Sequence, residues 1–482
     1  MQRRFLTNLA LVLVLNLLVK PFYILGIDAG VQDAVGTATY GGYAALLSLS
    51  FLLNILLDAG ITNFSARQIA QHTQLMRKHL SGVLAARGLL VVLYGAVTFS
   101  AAWVLGYRGG QLTLLAWLVL NQALVATILY LRGHIAGAQR YRQDSLLSVL
   151  DRLLLIVIVG GLLWGRTTGT PFRIEWFVWA QTAAYGITLL TALALVLRIA
   201  GPVRPVWRPV FIWSIVRQSF PYALLVLLMT FYYRTDSVML ERMLPDGAFH
   251  AGVYAQGFRF FEALNMLGYL FAGLLLPMFS RMLKEGNDVG PLAGLAFRLM
   301  LGGALVVAVV AGLEAQAVMD LRYSEATELS APAFAVLMGC FVAVGTTYIF
   351  GTLLTAAGDL RLLNTMAAGG MVLNIVLNLV LIPQYQALGA AWASLITQGL
   401  TALVQLVFAA RRHRVALPWH LWVRALLVAG STAGLVVLLG MAHAGAPLRL
   451  ALGLAGGLVF AVGSGLISPK GIAVVLRDRE AR

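Results

Sequence analysis

The chain has 482 residues, of which 60% are hydrophobic and only 11% are charged, whereas soluble domains carry roughly a quarter charged residues. So few charges cannot cover a water-exposed surface, which excludes a soluble globular protein. The net charge of +16 does not indicate nucleic-acid binding, because the basic residues stand in short groups between apolar runs. The single cysteine, Cys340, permits no internal disulfide and no cysteine-based metal site.

Apolar runs long enough to cross a bilayer follow one another along the whole chain. A crossing helix needs about 20 predominantly apolar residues. The first run, after Met1–Arg4, is too long for the core of a signal peptide and predicts the first crossing. The same criterion predicts fourteen crossings, at residues 5–27, 36–58, 84–106, 112–132, 146–165, 176–198, 212–244, 252–280, 293–313, 329–357, 362–383, 386–410, 420–442 and 447–467.

The connections between these runs alternate in charge. If the N-terminus is cytoplasmic, the cytoplasmic connections contain Arg67, Lys78, Arg140, Arg208, Arg281, Arg361 and Arg412, and the tail adds Lys470 and Arg477. The opposite connections contain Asp28, Asp33, Glu175, Asp246, Glu314, Asp320 and Glu325. Cytoplasmic connections collect Lys and Arg, so the pattern predicts an even number of crossings with both termini cytoplasmic.

A weak internal repeat divides the chain. A shift of 214 residues places Lys20 on Arg234 and Tyr40 on Tyr254. Together with other matches of this kind, the repeat predicts two lobes of six spans each, residues 1–200 and 205–412, inserted with the same orientation. Transporters are built on this plan. Residues 418–482, with the last two spans and the tail, lie outside the repeat.

Charged residues at membrane depth are the candidate functional residues. Each costs roughly 2.5–3.5 kcal/mol to insert, so it is expected to face protein or water. Lys20 either snorkels to the outer interface or lines a cavity. Arg234 and Asp236 lie on different faces of the seventh span, and at least one is expected to line a cavity. Arg259 and Glu262 either form an ion pair along one helix face or contact a substrate.

Further polar residues have structural interpretations. Asp151 and Arg152 enter the fifth span near its cytoplasmic edge, where an interlobe or interfacial role is favoured. Asn374 and Asn378 share a helix face, which predicts hydrogen bonding between helices. No phosphate-binding glycine loop, His-Glu metal motif or Ser-His-Asp pattern occurs, so we expect a transporter without a catalytic centre, metal or cofactor. Coupling to a gradient of H⁺ or Na⁺ is left open.

Several segments resemble one family of membrane proteins. The sequence RTDSVML at 234–240, followed by GVYAQGFR at 252–259, resembles the start of the second lobe in Wzx-type polysaccharide flippases of the MOP superfamily. Asp58-Ala59-Gly60 with RQIA at 67–70 is similar to the end of their second span. The segments 374–378, 381–383 and 389–391 resemble their spans eleven and twelve, although Gln386 stands where a glycine is frequent.

This resemblance implies two helical lobes around a cavity that opens alternately to each side of the bacterial inner membrane. It also implies a cargo, a polyprenyl-pyrophosphate-linked oligosaccharide that moves to the periplasmic leaflet for surface polysaccharide synthesis. Lys20, Arg234 and Arg259 would contact the anionic pyrophosphate, and Asp236 and Glu262 are candidate cavity or coupling acids. The implied partners are the bilayer, the lipid-linked glycan and other polysaccharide-assembly proteins, without nucleic acid.

Three other functions compete with this interpretation. A lipid II flippase of the MurJ type shares the fourteen-span plan, but its dense basic motif after the second span is not seen here. A multidrug exporter of the MATE type would be expected to place acids, rather than Lys20 and Arg234, in its cavity. A membrane glycosyltransferase or polymerase is disfavoured because no connection is long enough for a folded extramembrane domain.

Overall fold

A computed structural model describes residues 18–58, 61–62, 76–138, 140–165, 170–201, 206 and 209–468. The predicted start of the first span, and Arg67, Arg208 and Lys470, lie outside these residues. Throughout the described ranges the regular structure is helical. The chain forms two compact units, Met1–Gly252 and Val253–Arg482.

The first unit contains the helices of the predicted spans one to seven. Residues 18–22 are helical and continue through a π-helical turn, Tyr23–Asp28, into α1. The further helices are α1 (Ala29–Val35), α2 (Thr37–Leu52), a short 3₁₀ turn (Asn54–Leu57), α3 (Met76–Val104), α4 (Gly110–Gly137), α5 (Tyr141–Trp164), α6 (Ile174–Ala200) and α7 (Pro209–Met243).

The second unit contains the remaining helices. They are α8 (Gly247–Lys284), whose first turns belong to the first unit, α9 (Gly290–Leu313), the short α10 (Ala315–Arg322), α11 (Thr327–Ala356), α12 (Leu360–Arg412), α13 (Trp419–Met441) and α14 (Ala446–Gly463). Among the described helices, eleven are long and apolar enough to cross a membrane. Because α12 covers two predicted spans, and the helix 18–35 and α2 provide the first two, each predicted crossing has a helical counterpart. The predicted all-α polytopic fold is confirmed.

The first span ends later than the sequence predicts. Its helix does not stop near residue 27 but reaches Val35, where Gly36 adopts a φ of 83° and turns the chain into α2. Asp28 therefore lies inside the helix rather than in a connection, as does Asp33. The carboxylate of Asp28 is buried and accepts a hydrogen bond of 2.8 Å from the Tyr40 hydroxyl, which offsets the cost of its burial.

The unit boundary differs from the boundary that the sequence repeat indicates. Helix α7 and the first turns of α8 group with the first unit, although the repeat assigns them to the second lobe. Glycines explain this packing, because a Cβ at Gly41 would overlap the Ala248 carbonyl oxygen, and one at Gly252 would overlap that of Thr37. Gln32 Nε2 also donates to the Gly252 carbonyl at 2.9 Å.

The last two helices pack within the second unit. Arg449 of α14 donates to Glu314, which follows α9, at 2.7 Å, and the Glu314 side chain is only 8% exposed. A Cβ at Gly457 of α14 would lie 2.6 Å from the Val306 side chain of α9, so these two helices approach closely. Spans thirteen and fourteen, which the repeat leaves aside, are therefore part of the second unit.

Helix α12 reverses direction at Gln386. This residue has φ 54° and ψ −128°, and it separates two helical stretches. An added Cβ at Gly389 would overlap the Leu381 carbonyl oxygen, whereas a straight helix would separate residues eight apart by about 12 Å. The strained backbone explains why glycine is the frequent residue here in the resembling flippases, since glycine adopts a positive φ without a Cβ clash.

Replacing this strained residue should stabilise the protein. We expect Gln386→Gly to raise the free energy of unfolding by about 1–3 kcal/mol, the usual cost of such a backbone conformation. Gln384→Gly is the matched control, because Gln384 is an equally exposed glutamine within the helix, where glycine lowers stability by up to about 1 kcal/mol. Thermal unfolding of the detergent-purified protein measures both. A melting temperature lowered equally by the two changes would contradict the assigned strain.

Candidate functional site in the first unit

The helix that carries Lys20 contains a π-helical turn. Pro21 follows Lys20, and proline cannot donate the backbone hydrogen bond of a regular helix. Two residues later the helix widens into the turn Tyr23–Asp28, in which Tyr23, Ile24, Ile27 and Asp28 are all buried. Turns of this kind occur frequently at functional sites, because they redirect the side chains of an otherwise regular helix.

Arg152 lies beside this turn. Its guanidinium donates to the Tyr185 hydroxyl at 3.1 Å and lies 4.6 Å from the centre of the Tyr23 ring. The distance from Arg152 Nε to the Asp151 carboxylate is 3.8 Å, longer than a direct hydrogen bond. Since α5 begins at Tyr141, Arg152 stands eleven residues, about 16 Å, into the helix.

Lys20 lies within the electrostatic field of the same residues. Arg152 and Arg132 act on its ammonium group repulsively, and Asp151 acts attractively. Along the helix, Lys20 lies sixteen residues, about 24 Å, before the turn at Gly36. The structure therefore brings Arg152, which the sequence did not indicate as a substrate-binding residue, close enough to act electrostatically on Lys20.

A polar network fixes the helices around this site. Gln181 of α6 donates to the Tyr43 hydroxyl of α2 at 2.9 Å. Asn121 of α4 donates to Gln181 Oε1 at 3.4 Å and accepts a hydrogen bond of 2.7 Å from the Thr182 hydroxyl. Buried polar networks whose members are bonded to one another rigidify the packing around them. The walls of the Lys20–Arg152 site are thus held by hydrogen bonds between α2, α4 and α6.

Arg87 forms a second buried charge centre that the sequence analysis missed. It is 5% exposed, donates to Asp58 at 2.7 Å and to the Ala126 carbonyl at 2.9 Å, and lies 4.3 Å from the centre of the Tyr130 ring. The predicted third span starts at residue 84, which would make Arg87 a flanking cation. Helix α3 begins at Met76 instead, so Arg87 is eleven residues inside it. The resemblance had included Asp58, whose neighbours 59–60 lie outside the described residues.

Arg234 and Asp236 both belong to the first unit. The guanidinium of Arg234 lies 4.5 Å from the centre of the Phe51 ring, a cation–π contact with the end of α2. Asp236 is 1% exposed and faces the interior of the packed helices. Glu241 lies five residues after Asp236 on α7. Its carboxylate accepts a hydrogen bond of 2.9 Å from the hydroxyl of Tyr107, which lies between α3 and α4. Burial and then the Glu241 carboxylate raise the pKa of Tyr107, so its hydroxyl keeps the donated proton.

The other predicted charges belong to the second unit and are paired. Arg259 is 6% exposed and donates to Glu262 at 2.5 Å, the ion pair that their three-residue spacing predicts. Asn378 donates to Asn374 at 3.1 Å, and both side chains are fully buried. The predicted shared face of the two asparagines is confirmed, with this hydrogen bond running along one helix.

The buried and exposed ion pairs should differ in their contribution to stability. We expect Arg87→Ala to lower the free energy of unfolding by about 1.5–3 kcal/mol, because it removes the charge-assisted hydrogen bond to Asp58, whose side chain is 27% exposed. The matched control is Arg281→Ala, which removes the solvent-exposed Arg281–Glu285 pair and should leave stability unchanged. Thermal unfolding of the purified variants measures the difference. Equal melting temperatures for the two variants would contradict the structural role of Arg87.

The comparisons with known proteins agree with this architecture. A family model described as polysaccharide biosynthesis protein matches residues 7–283. The structure of the lipid II flippase MurJ in an inward closed conformation is similar, with a TM-score of 0.74 and 12% identity over 94% of this chain and 98% of that one. The structure of a multidrug resistance MATE family transporter of the MOP superfamily, in an inward-facing conformation, is also similar. Its TM-score is 0.62, with 14% identity over 82% of this chain and 94% of that one.

A third similar structure is that of a MOP superfamily transporter from Pyrococcus furiosus, in which a reverse polarity of the binding pocket suggests a different function. Its TM-score is 0.59, with 16% identity over 85% of this chain and 95% of that one. At these identities the likenesses establish the fold. A comparison with curated protein sequences gave no match. The fold is thus that of the multi-pass transporters of the MOP superfamily. Since the family model covers more than half of its length, the chain belongs to the polysaccharide biosynthesis protein family.

Proposed function

We propose that this protein is a flippase that moves a polyprenyl-pyrophosphate-linked oligosaccharide from the cytoplasmic to the periplasmic leaflet of the bacterial inner membrane. Both termini are then cytoplasmic, as the distribution of basic connections predicts. Membership of the polysaccharide biosynthesis family supports the glycan, and the likeness in fold to a lipid II flippase supports translocation. The observation that carries the proposal is that two basic side chains of the first unit, Lys20 and Arg152, are close enough to repel each other.

The charge balance of this site favours an anionic ligand. Lys20 and Arg152 bring two positive charges to the same region, whereas Arg132, which also acts on Lys20, is paired with Asp144 at 2.7 Å. Two further acids lie nearby, but Asp151 is 3.8 Å from Arg152 Nε and Asp28 accepts a hydrogen bond from Tyr40, so neither is observed as a hydrogen-bond acceptor of the guanidinium. Like charges repel strongly where the dielectric constant is low. A pyrophosphate between the two groups would relieve that repulsion and accept charge-assisted hydrogen bonds from both.

The candidate cations are not equivalent in this proposal. The contact of Arg259 with Glu262 favours a structural role for that residue, since the carboxylate already accepts its hydrogen bond. Arg234 rests on the Phe51 ring, and a guanidinium group is suited both to stacking on an aromatic ring and to binding phosphate. We therefore assign Lys20 and Arg152 as the principal phosphate-binding residues, Arg234 as an additional one, and the acids Asp236 and Glu262 to structure or coupling. The coupling ion, H⁺ or Na⁺, is left open in the proposal.

Neutralising these cations should impair transport and leave the protein folded. In a strain that lacks the gene, we expect Lys20→Gln and Arg152→Gln to restore surface glycan about tenfold less well than wild type, the equivalent of one lost charge-assisted hydrogen bond. Arg152→Lys should restore it partly, because an ammonium group keeps the charge without the planar fork. Surface glycan, measured by immunoblotting against membrane abundance, is the readout.

The control variant is Arg361→Gln, which neutralises an exposed arginine at the start of α12 and should complement fully. Complementation by Arg152→Gln at normal abundance would remove Arg152 from the site. Normal surface glycan in the deletion strain, together with accumulation of a cationic dye in cells, would favour a MATE-type exporter instead. Transfer of sugar by the purified protein in vitro would favour a glycosyltransferase.

A further inference from the structure

A cavity lies at the end of the second unit where α9 begins. It has a volume of about 340 Å³ and lies between the first two turns of α9 and the segment that follows α12. Arg298 and Arg414 line it from opposite sides, together with Asp288, Gly294 and Leu295. The volume falls in the range of small-molecule sites. None of the residues of the Lys20–Arg152 site contributes to it.

The two arginines in this cavity lack protein partners. Within the described part of the chain, neither guanidinium forms an ion pair or a hydrogen bond. Asp288 belongs to the same lining and offsets one of the two positive charges, while its Oδ1 accepts a hydrogen bond of 2.8 Å from the Gly290 backbone N–H at the start of α9. The lining as a whole carries one net positive charge. Its two guanidinium groups can each offer a planar pair of donors to phosphate oxygens.

The position of the cavity is that of lipid headgroups. Arg298 is eight residues into α9, about 12 Å from the helix start, so its long side chain can extend from the apolar region toward the interface. Trp422 packs on Phe297, the residue before Arg298, with their ring centres 6.1 Å apart. Trp419, at the start of α13, is 75% exposed and of the type that anchors helices at the membrane surface.

We propose that this cavity binds the phosphodiester headgroup of an anionic phospholipid of the surrounding bilayer. The single net charge of the lining matches the single charge of such a headgroup, and basic pockets between membrane helices bind anionic lipid headgroups. Arg298 and Arg414 hold the phosphate, and Leu295 lies against the apolar part of the lipid. This lipid is a bound component of the second unit and is distinct from the translocated cargo, so the inference does not depend on the proposed function.

Native mass spectrometry of the full-length protein, released from detergent, tests this inference. Wild type is incubated with dioleoyl phosphatidylglycerol, with zwitterionic dioleoyl phosphatidylcholine, or with the soluble anions glycerol 3-phosphate and inorganic phosphate. We expect bound phosphatidylglycerol, and we expect the double change Arg298→Gln and Arg414→Gln to weaken its binding about tenfold. Arg361→Gln, at an exposed arginine that does not line the cavity, should bind like wild type.

Other outcomes would overturn the inference. Equal binding of phosphatidylglycerol by the double variant and wild type would show that these arginines hold no lipid. Equal retention of phosphatidylcholine would remove the charge selectivity, and arginine-dependent binding of inorganic phosphate alone would make the cavity a site for free phosphate. If the double variant does not fold, the single change Arg414→Gln, at an exposed residue, decides between the same outcomes.

Discussion

The cost of placing charge inside a hydrocarbon layer determines how this molecule is built. Each ionised group at membrane depth must find a counter-charge, hydrogen bonds or water. Three pairs satisfy this rule locally: Arg87 with Asp58, Arg259 with Glu262 and Arg449 with Glu314 are ion pairs of 2.7 Å or less. These pairs join neighbouring helix turns or neighbouring helices, and their removal is expected to affect folding more than transport.

The Lys20–Arg152 site departs from this arrangement, and the departure leads from structure to function. The guanidinium of Arg152 contacts the Tyr23 ring and the Tyr185 hydroxyl, and the Asp151 carboxylate lies 3.8 Å from its Nε, beyond a direct hydrogen bond. The π-helical turn and the hydrogen bonds that fix α2, α4 and α6 order the helices around these residues. A preorganised cationic site within a multi-pass transporter fold suits an anionic group on a lipid carrier. The cavity at Arg298 and Arg414 follows the same logic at the membrane surface.

Much of the fold was predictable from the sequence, because crossing a bilayer requires long apolar runs and the cytoplasmic connections collect basic residues. The limits of the prediction were local. Asp28 suggested that the first helix ends near residue 27, since nothing in the sequence pairs it with the Tyr40 hydroxyl. The unit boundary depends on glycine contacts between α2 and α8, such as that of Gly41, which no apolar pattern encodes.

The site was predictable only in part. Lys20 was identifiable as a charge within an apolar run, and the spacing of Arg259 and Glu262 indicated their ion pair. Arg152 was assigned to an interface because the true depth of α5 depends on its start at Tyr141. Arg87 was overlooked for the same reason, since α3 begins before the apolar run does. Such residues become visible when helix ends and burial are known, because packing against neighbouring helices and not residue type separates a flanking cation from a buried one.

The most direct test of the central claim is whether the Lys20–Arg152 site binds a lipid diphosphate. Purified protein in detergent is titrated with farnesyl diphosphate and, separately, with farnesol, and binding is followed by isothermal titration calorimetry. The account predicts that wild type binds the diphosphate and not the alcohol, and that the double change Lys20→Gln and Arg152→Gln removes this binding while the melting temperature stays within the wild-type range. Unchanged binding of farnesyl diphosphate by the folded double variant would contradict the account.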